Sequence, residues 1–525
     1  MNLVRRFALG HRSSSPPWND GAPVRKELFS VERLEQHAES LAAAQPVTAT
    51  PPRVLSLHER LDDNAAVLLA AYRASAAELE SGRGMVPAAE WLLDNYHLVE
   101  EQIREIRDDL PPGYYRQLPK LAEGPFAGYP RVFGLGWAFV AHTDSHLDPD
   151  ILSRFIAAYQ RVQPLTIGEL WAVAITLRIV LVENLRRLVD QIMAGQDARA
   201  DADTLADRLL LSGNTRAARG PDTATRGAEP MPEIFAAQLA KRLRDLDPQT
   251  TPALGWLEEQ LRQQGVSIDD VVQRAQLRQG ASNVTVRNVI TSMRLIADID
   301  WADMLESVSL VDARLRAASR FAAMDFPTRN MYRNAIEQLA RGSSSPELEI
   351  ADRVLEAART ASDEAADAVE AERTGDPGYH LIGGGRYALE RAVGFRLPWR
   401  MRLGRWYATV GIGAYVGTIL AVTTLLLAFS LLILAEPGVD AWLLVLFALF
   451  GFLPATDLAT HLVNRVVTMS AGPSLLPGIE LAKGVPQSLR TMVAVPTLLS
   501  GEADLLEQIE GLEVHHLAGA GGDLV

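Results

Sequence analysis

The 525-residue chain has no cysteine. This excludes disulfides, cysteine-ligated zinc, iron–sulfur clusters and thiol catalysis, and leaves the redox compartment open. Lysine is scarce as well: Lys26, Lys120, Lys241 and Lys483 are the only four among 51 basic residues. Against 65 acidic residues the balance is a net charge of −14. A general nucleic-acid binder needs a basic surface, so no nucleic-acid partner is expected. Aromatic residues make up only 6% of the chain, and most of them are needed for cores. Near the N-terminus, Arg5 and Arg6 are followed by only Phe7, Ala8 and Leu9 before Gly10. A secretory apolar region needs ~7–15 residues, so no signal peptide is read there.

Hydrophobic residues reach 48% and charged residues 22%, the composition of a folded chain. This length is expected to hold two to four units. Residues 1–54 are rich in Ser, Pro and Ala and read as a mobile tail. The long apolar runs lie toward the other end. Val410 to Ala435 carries no charge, which at 1.5 Å per residue suffices for a hydrocarbon core of ~30 Å. After Glu436-Pro437-Gly438-Val439-Asp440 comes a second run, with spans placed at about 410–435 and 441–463 inside a hairpin of 396–468. Arg396, Arg400, Arg402 and Arg405 precede the first span, Arg465 closes the second, and the connection holds only acids. The positive-inside rule then puts both ends in the cytoplasm. Gly413 and Gly417 form a GxxxG that permits close helix contact. Asp457 and His461 share a helix face near the interface and read as an orienting pair rather than a proton relay.

Between 55 and 395 the periodicity is helical, so the fold class is mainly α. One division gives lobes at 55–195 and 232–395 with a linker at 196–231. Ser56-x-x-Glu59 and Thr166-x-x-Glu169 are capping boxes, and Gly82 suits a helix stop. The helix opened by Thr166 is apolar from Leu170 to Val182 apart from Arg178, reads as a buried core helix, and is expected to end before Gly195.

Clusters that could carry chemistry are few. His142, Asp144 and His146 are the most metal-like, but nothing nearby supplies a fourth ligand, and Asp144 and Asp148 suit a turn before Pro149. Gly383-Gly384-Gly385 lacks the GK[ST] ending of a phosphate loop and reads as a hinge. Glu100, Glu101, Glu105, Asp108 and Asp109 read as a solvated helix face. Met324 to Tyr332 reads as an interhelix corner broken at Pro327, with Asp325 bonding backbone amides. No catalytic, cofactor-binding or metal residue is therefore assigned. After a linker from 469, Met492–Val495 reads as a strand, Glu502–Glu510 as a helix and Leu512–Leu517 as a second strand, the opening β-α-β of an α/β domain. About thirty residues cannot bury a core, so the chain is expected to stop at the start of that domain.

The sequence resembles the N-terminal region of cyclic β-1,2-glucan synthases, large bacterial inner-membrane glucosyltransferases. The resemblance rests on Trp91-Leu-Leu-Asp-Asn-Tyr-His-Leu-Val-Glu-Glu-Gln-Ile103, Arg116-Gln-Leu-Pro-Lys-Leu121, Gly168-Glu-Leu-Trp171 and Ser282-Asn-Val-Thr-Val-Arg-Asn-Val-Ile-Thr-Ser-Met-Arg294. Asp300-Trp301, Glu306-Ser-Val-Ser-Leu-Val-Asp312, Met324-Asp-Phe-Pro-Thr-Arg329, Tyr332-Arg333 and Arg490-Thr-Met-Val-Ala-Val-Pro-Thr497 extend it. It implies an anchoring and scaffolding part of an enzyme that builds β-1,2-glucan from UDP-glucose. UDP-glucose and a divalent metal are implied only for a catalytic domain beyond Val525, so this chain alone is expected to be inactive. The implied partners are the lipid bilayer, that glycosyltransferase domain, and β-1,2-glucan, with both termini on the cytoplasmic side of the inner membrane. A free-standing, non-enzymatic membrane protein with a helical interaction domain is the alternative. A small transporter is a weaker one, since two spans suffice only in an oligomer.

Overall fold

A computed structural model describes residues 21–80, 85–212, 231–244, 253–435, 440–470, 476–481, 484–487, 490 and 501–518. They form two compact units, Met1–Leu310 and Val311–Val525. Both are mainly helical. Among the described residues the one sheet is a two-stranded antiparallel pair, β1 (Val47–Thr48) with β2 (Lys120–Leu121).

The first unit starts well inside the expected tail. α1 (Val31–Ala43) is capped by Ser30 and buries Leu34, Ala38 and Ala42. Val24, ahead of it, is also buried and donates its backbone N–H to Asn184 Oδ1 at 2.6 Å. Residues 21–54 are thus part of the fold, which corrects the tail reading. The stripe is built mostly from alanine, whose small side chain allows close packing without a strong hydropathy signal. α2 (Leu57–Glu80), α3 (Pro87–Asp94), α4 (Tyr96–Asp109), α5 (Pro112–Gln117), α6 (Arg131–His142) and α7 (Pro149–Val162) follow. The Ser56–Glu59 capping box forms as expected, with reciprocal bonds of 3.1 Å. Gly82 lies outside the described residues.

α8 (Ile167–Ser212) is the axis of this unit, 46 residues long. Thr166 and Glu169 cap it reciprocally. Its first half is buried on all sides, from Leu170 through Val189, so its run of apolar residues is a core helix. Arg178 is accommodated there by Gln102 Oε1 at 3.0 Å and Glu105 at 2.8 Å. The helix does not stop before Gly195, so residues 196–212 of the expected linker are helical. The reason is a small-residue stripe, Ala202, Ala206 and Leu209, which seeds a second core with α9 (Glu233–Arg244), α10 (Ala253–Gln263) and the start of α11 (Ile268–Asp298). α12 (Trp301–Val308) closes the unit.

The second unit follows from α13 (Leu310–Ala318), inside which the division falls. α14 (Phe326–Gly342), α15 (Glu347–Asp363), α16 (Ala368–Thr374), α17 (Pro377–Leu381) and α18 (Arg386–Ala392) pack around Tyr332, Ile336, Leu339, Ile350 and Val354. α19 (Trp399–Val410), α20 (Ile412–Leu434) and α21 (Ala441–Ser470) come next. The final element, α22, is one helix over Glu502–Ala518. The expected strand at Leu512–Leu517 is therefore corrected to helix. With no strand beside it among the described residues, its backbone bonds close within the helix, and Leu505, Ile509 and Leu512 keep helical spacing. The expected strand at Met492–Val495 lies outside the described residues.

Candidate membrane anchor and its helical platform

The sequence clusters separate into structural roles. His142 is buried, stacks on Phe29 at 3.9 Å and bonds Glu27 O through Nδ1 at 2.7 Å. His146 is exposed, and Asp148 caps α7. Asp144 turns inward, accepting from Thr285 Oγ1 at 2.8 Å and pairing with Arg25 at 3.2 Å. The three side chains diverge to different partners, so the segment is the turn. It is a strained one: Asp144 and Ser145 both have positive φ, 50° and 62°, a conformation that non-glycine residues rarely adopt. The strain is held by α8 and α11. Asn184 donates to Ser145 Oγ at 2.8 Å, Ser292 Oγ donates to Ser145 O at 2.7 Å, and Asn288 donates to Asp144 O at 3.0 Å.

Beside this turn lies a buried ion cluster that the sequence reading missed. Glu183 has 1% of its side chain exposed and accepts from Arg60 Nε and Nη2, both at 2.9 Å, from Arg187 Nε at 2.7 Å and from Asn64 at 2.8 Å. Burial alone would raise its carboxyl pKa, but the two guanidiniums outweigh it and hold the carboxyl below the usual range. Arg131 and Glu169 form a second buried pair, bonded at 2.5 and 2.8 Å. In the second unit, Arg333 grips Asp312 at 2.6 Å with both side chains nearly fully buried. The clue was an acid or base inside an otherwise apolar helical stretch, as at Arg178, but periodicity does not name its partner.

The two long apolar helices are α20 and α21, and hardly any of their most apolar stretch is buried. A core helix would be buried, as the first half of α8 is. Here Leu425, Phe429, Leu432, Phe450 and Leu453 all point outward, each at least 66% exposed. The helices pack on each other and bury Ala414, Thr423, Ala459 and Val463. Tyr415 donates to Asn464 Oδ1 across them at 2.6 Å. The GxxxG plays no part in this contact: space around Gly417 is open, and Gly413 approaches only Val410. Hydroxyls of Thr418, Thr423, Thr424, Ser430, Thr456 and Thr460 donate to carbonyls one turn back, so none needs water. Asp457 and His461 lie 3.8 Å apart with open side chains.

The chain enters the hairpin through α19, and Gly411, at φ 61°, makes the break that separates α19 from α20. Arg405 clamps α19 to the platform through two bonds to Glu390, at 2.5 and 2.7 Å, and Arg386 holds the same carboxylate at 2.9 Å. Burial works against ionisation of Glu390, yet Arg405 and Arg386 keep its pKa low. Past α21 the chain returns to the corner at Met324–Thr328. Asp325 N donates to Gly478 O at 3.2 Å, Gly478 N to Thr328 Oγ1 at 2.8 Å and Glu480 N to Ala323 O at 2.9 Å. Asp325 itself caps α14, as expected, by accepting from Thr328 N. The residues before and after the hairpin therefore meet at one end of it.

No protein-family model matches the chain. Among curated proteins, it is 37% identical over 516 residues to the cyclic beta-(1,2)-glucan synthase NdvB of Rhizobium meliloti. The chain is homologous to part of a cyclic beta-(1,2)-glucan synthase. The match covers 97% of this chain and 18% of the relative, so the chain spans less than a fifth of the synthase's length. Within the stretches that carried the resemblance, Thr285, Asn288 and Ser292 hold the strained turn, and Asp312 pairs with Arg333 in the second unit.

Proposed function

We propose that the chain is the membrane-anchoring and scaffolding part of a cyclic β-1,2-glucan synthase of the bacterial inner membrane. The helical platform and both termini lie in the cytoplasm, and the short connection between α20 and α21 lies outside. The observation that carries this reading is the path of the chain. It leaves the platform through the Arg405–Glu390 clamp, crosses two bare apolar helices, and is tied back to the α14 corner by three hydrogen bonds. Such a hairpin holds a soluble body against one face of a bilayer. The flanking arginines support the cytoplasmic side. Glucosyl transfer from UDP-glucose, and the divalent metal it uses, belong on this reading to the remainder of the synthase, for which the platform is the docking partner.

A chimera tests it. The matching segment of the Rhizobium meliloti synthase is replaced by this chain, and glucose incorporation from UDP-glucose into cyclic glucan is measured in membranes. The expected result is a membrane-bound, active chimera, with no incorporation by the chain alone. A chimera that folds and inserts but makes no glucan would overturn the scaffold reading.

A further inference from the structure

We infer that the first unit carries a binding groove for a neutral polyhydroxylated chain, and specifically for a β-1,2-linked glucan segment. The ligand's identity rests on the function proposed above. The groove runs between the second half of α8 and α11, with α9 along its far wall. Its larger part encloses about 820 Å3, inside the ~300–1,000 Å3 range of small-molecule sites. A smaller cleft adjoins it through the shared residues Val86, Arg199, Ile234, Ala275 and Gln279.

Three polar groups in this groove lack the partners that a closed protein surface would give them. Gln196 Oε1 in the larger part and Asn283 Oδ1 in the smaller are buried acceptors with no hydrogen-bond partner among the described residues. Buried polar atoms are ordinarily satisfied. Arg199, half-buried between them, donates to Gln279 Oε1 at 3.0 Å and has no carboxylate partner among the described residues. Burial lowers its pKa, which is the mark of a cation not compensated nearby. The acids of the groove are engaged: Glu78 accepts from Gln196 Nε2 at 2.9 Å, and Asp203 accepts from Gln238 at 2.9 Å.

The ligand must therefore donate to two amide oxygens and accept from a guanidinium. A hydroxyl does both, whereas an unprotonated phosphate oxygen only accepts. A run of sugar hydroxyls meets all three demands, and Ile234, Ala275 and Val272 offer apolar surface for the C–H faces of the rings. Among the described residues no aromatic ring lines the groove. Recognition there is by hydrogen bonds, which favours a chain that slides over one that locks.

The test uses the full chain in lipid nanodiscs, titrated calorimetrically with a linear β-1,2-linked gluco-oligosaccharide. An α-1,4-linked oligosaccharide of equal length and inorganic phosphate serve as comparisons. Binding of the β-1,2 oligomer is expected, weakened at least tenfold by Arg199→Ala and by Gln196→Leu, with thermal stability unchanged in both. Lys241→Ala, on the groove wall, is expected to weaken binding less. No binding by the folded wild type, equal binding by the variants, or a preference for phosphate would each overturn the groove. A failure here beside an active chimera removes only the groove. Sugar binding beside an inactive chimera removes only the scaffold.

Discussion

Glu183 ties α2 to α8 in the core of the first unit through Arg60, Asn64 and Arg187. Glu183→Gln leaves Arg60 and Arg187 facing a neutral amide in the core. Breaking a buried pair from one side costs about 3–5 kcal/mol, and thermal unfolding of the variant should show a loss of that size. The same group sets an acid limit. Its folded pKa lies below its unfolded value, so its contribution is complete above the unfolded value and is lost as pH falls through the folded one. His37 and His142 act in the same direction at higher pH. Burial, the largest cause, depresses both from 6.5. The unfolded chain takes up these protons first, so stability declines as pH drops below 6.5. Ring NMR titration should place both midpoints under 6.5, and midpoints at or above it would contradict the packing at Phe29. These residues show what sequence can and cannot give. Asp325, Ser56 and Thr166 are legible because a cap is a local bargain, closed within three residues. Glu183 and Arg60 are 123 positions apart, and no local pattern joins them.

At the scale of the element, hydropathy carries the signal when every face of a helix is apolar and loses it when the buried stripe is alanine. The stretch holding α20 and α21 was legible as spans because every face had to be apolar. α1 and the second half of α8 were not, because Ala38, Ala42, Ala202 and Ala206 bury little area each and sit among polar residues. The helix at Glu502–Ala518 was read half as strand because Leu512, Glu513 and Val514 alternate apolar and polar over too short a stretch for the two periods to be told apart. The hairpin contact itself rests on small residues and one polar bond. Tyr415→Phe removes the hydrogen bond to Asn464 and should destabilise the hairpin by about 0.6 kcal/mol, the average for such bonds between membrane helices. Gly417→Leu enters open space and should leave hairpin stability unchanged. Unfolding in mixed SDS and detergent micelles measures both, and a larger loss for Gly417→Leu would mean that the GxxxG face has a partner.

The platform residues at Asp325 and Thr328 and the returning residues at Gly478 and Glu480 are bonded to one another, so they cannot face opposite compartments. The chain is homologous to part of a cyclic beta-(1,2)-glucan synthase, of which it spans less than a fifth. The absence of cysteine makes the chain a ready template for the decisive measurement. Single cysteines are introduced as Asp440→Cys between the spans, Arg287→Cys on α11 of the first unit and Glu502→Cys after the hairpin. Each is exposed to a membrane-impermeant maleimide in intact spheroplasts and again after lysis. The account predicts labelling of Asp440→Cys in intact spheroplasts, and of Arg287→Cys and Glu502→Cys only after lysis. Labelling of Arg287→Cys or Glu502→Cys before lysis, or protection of Asp440→Cys until lysis, would contradict it.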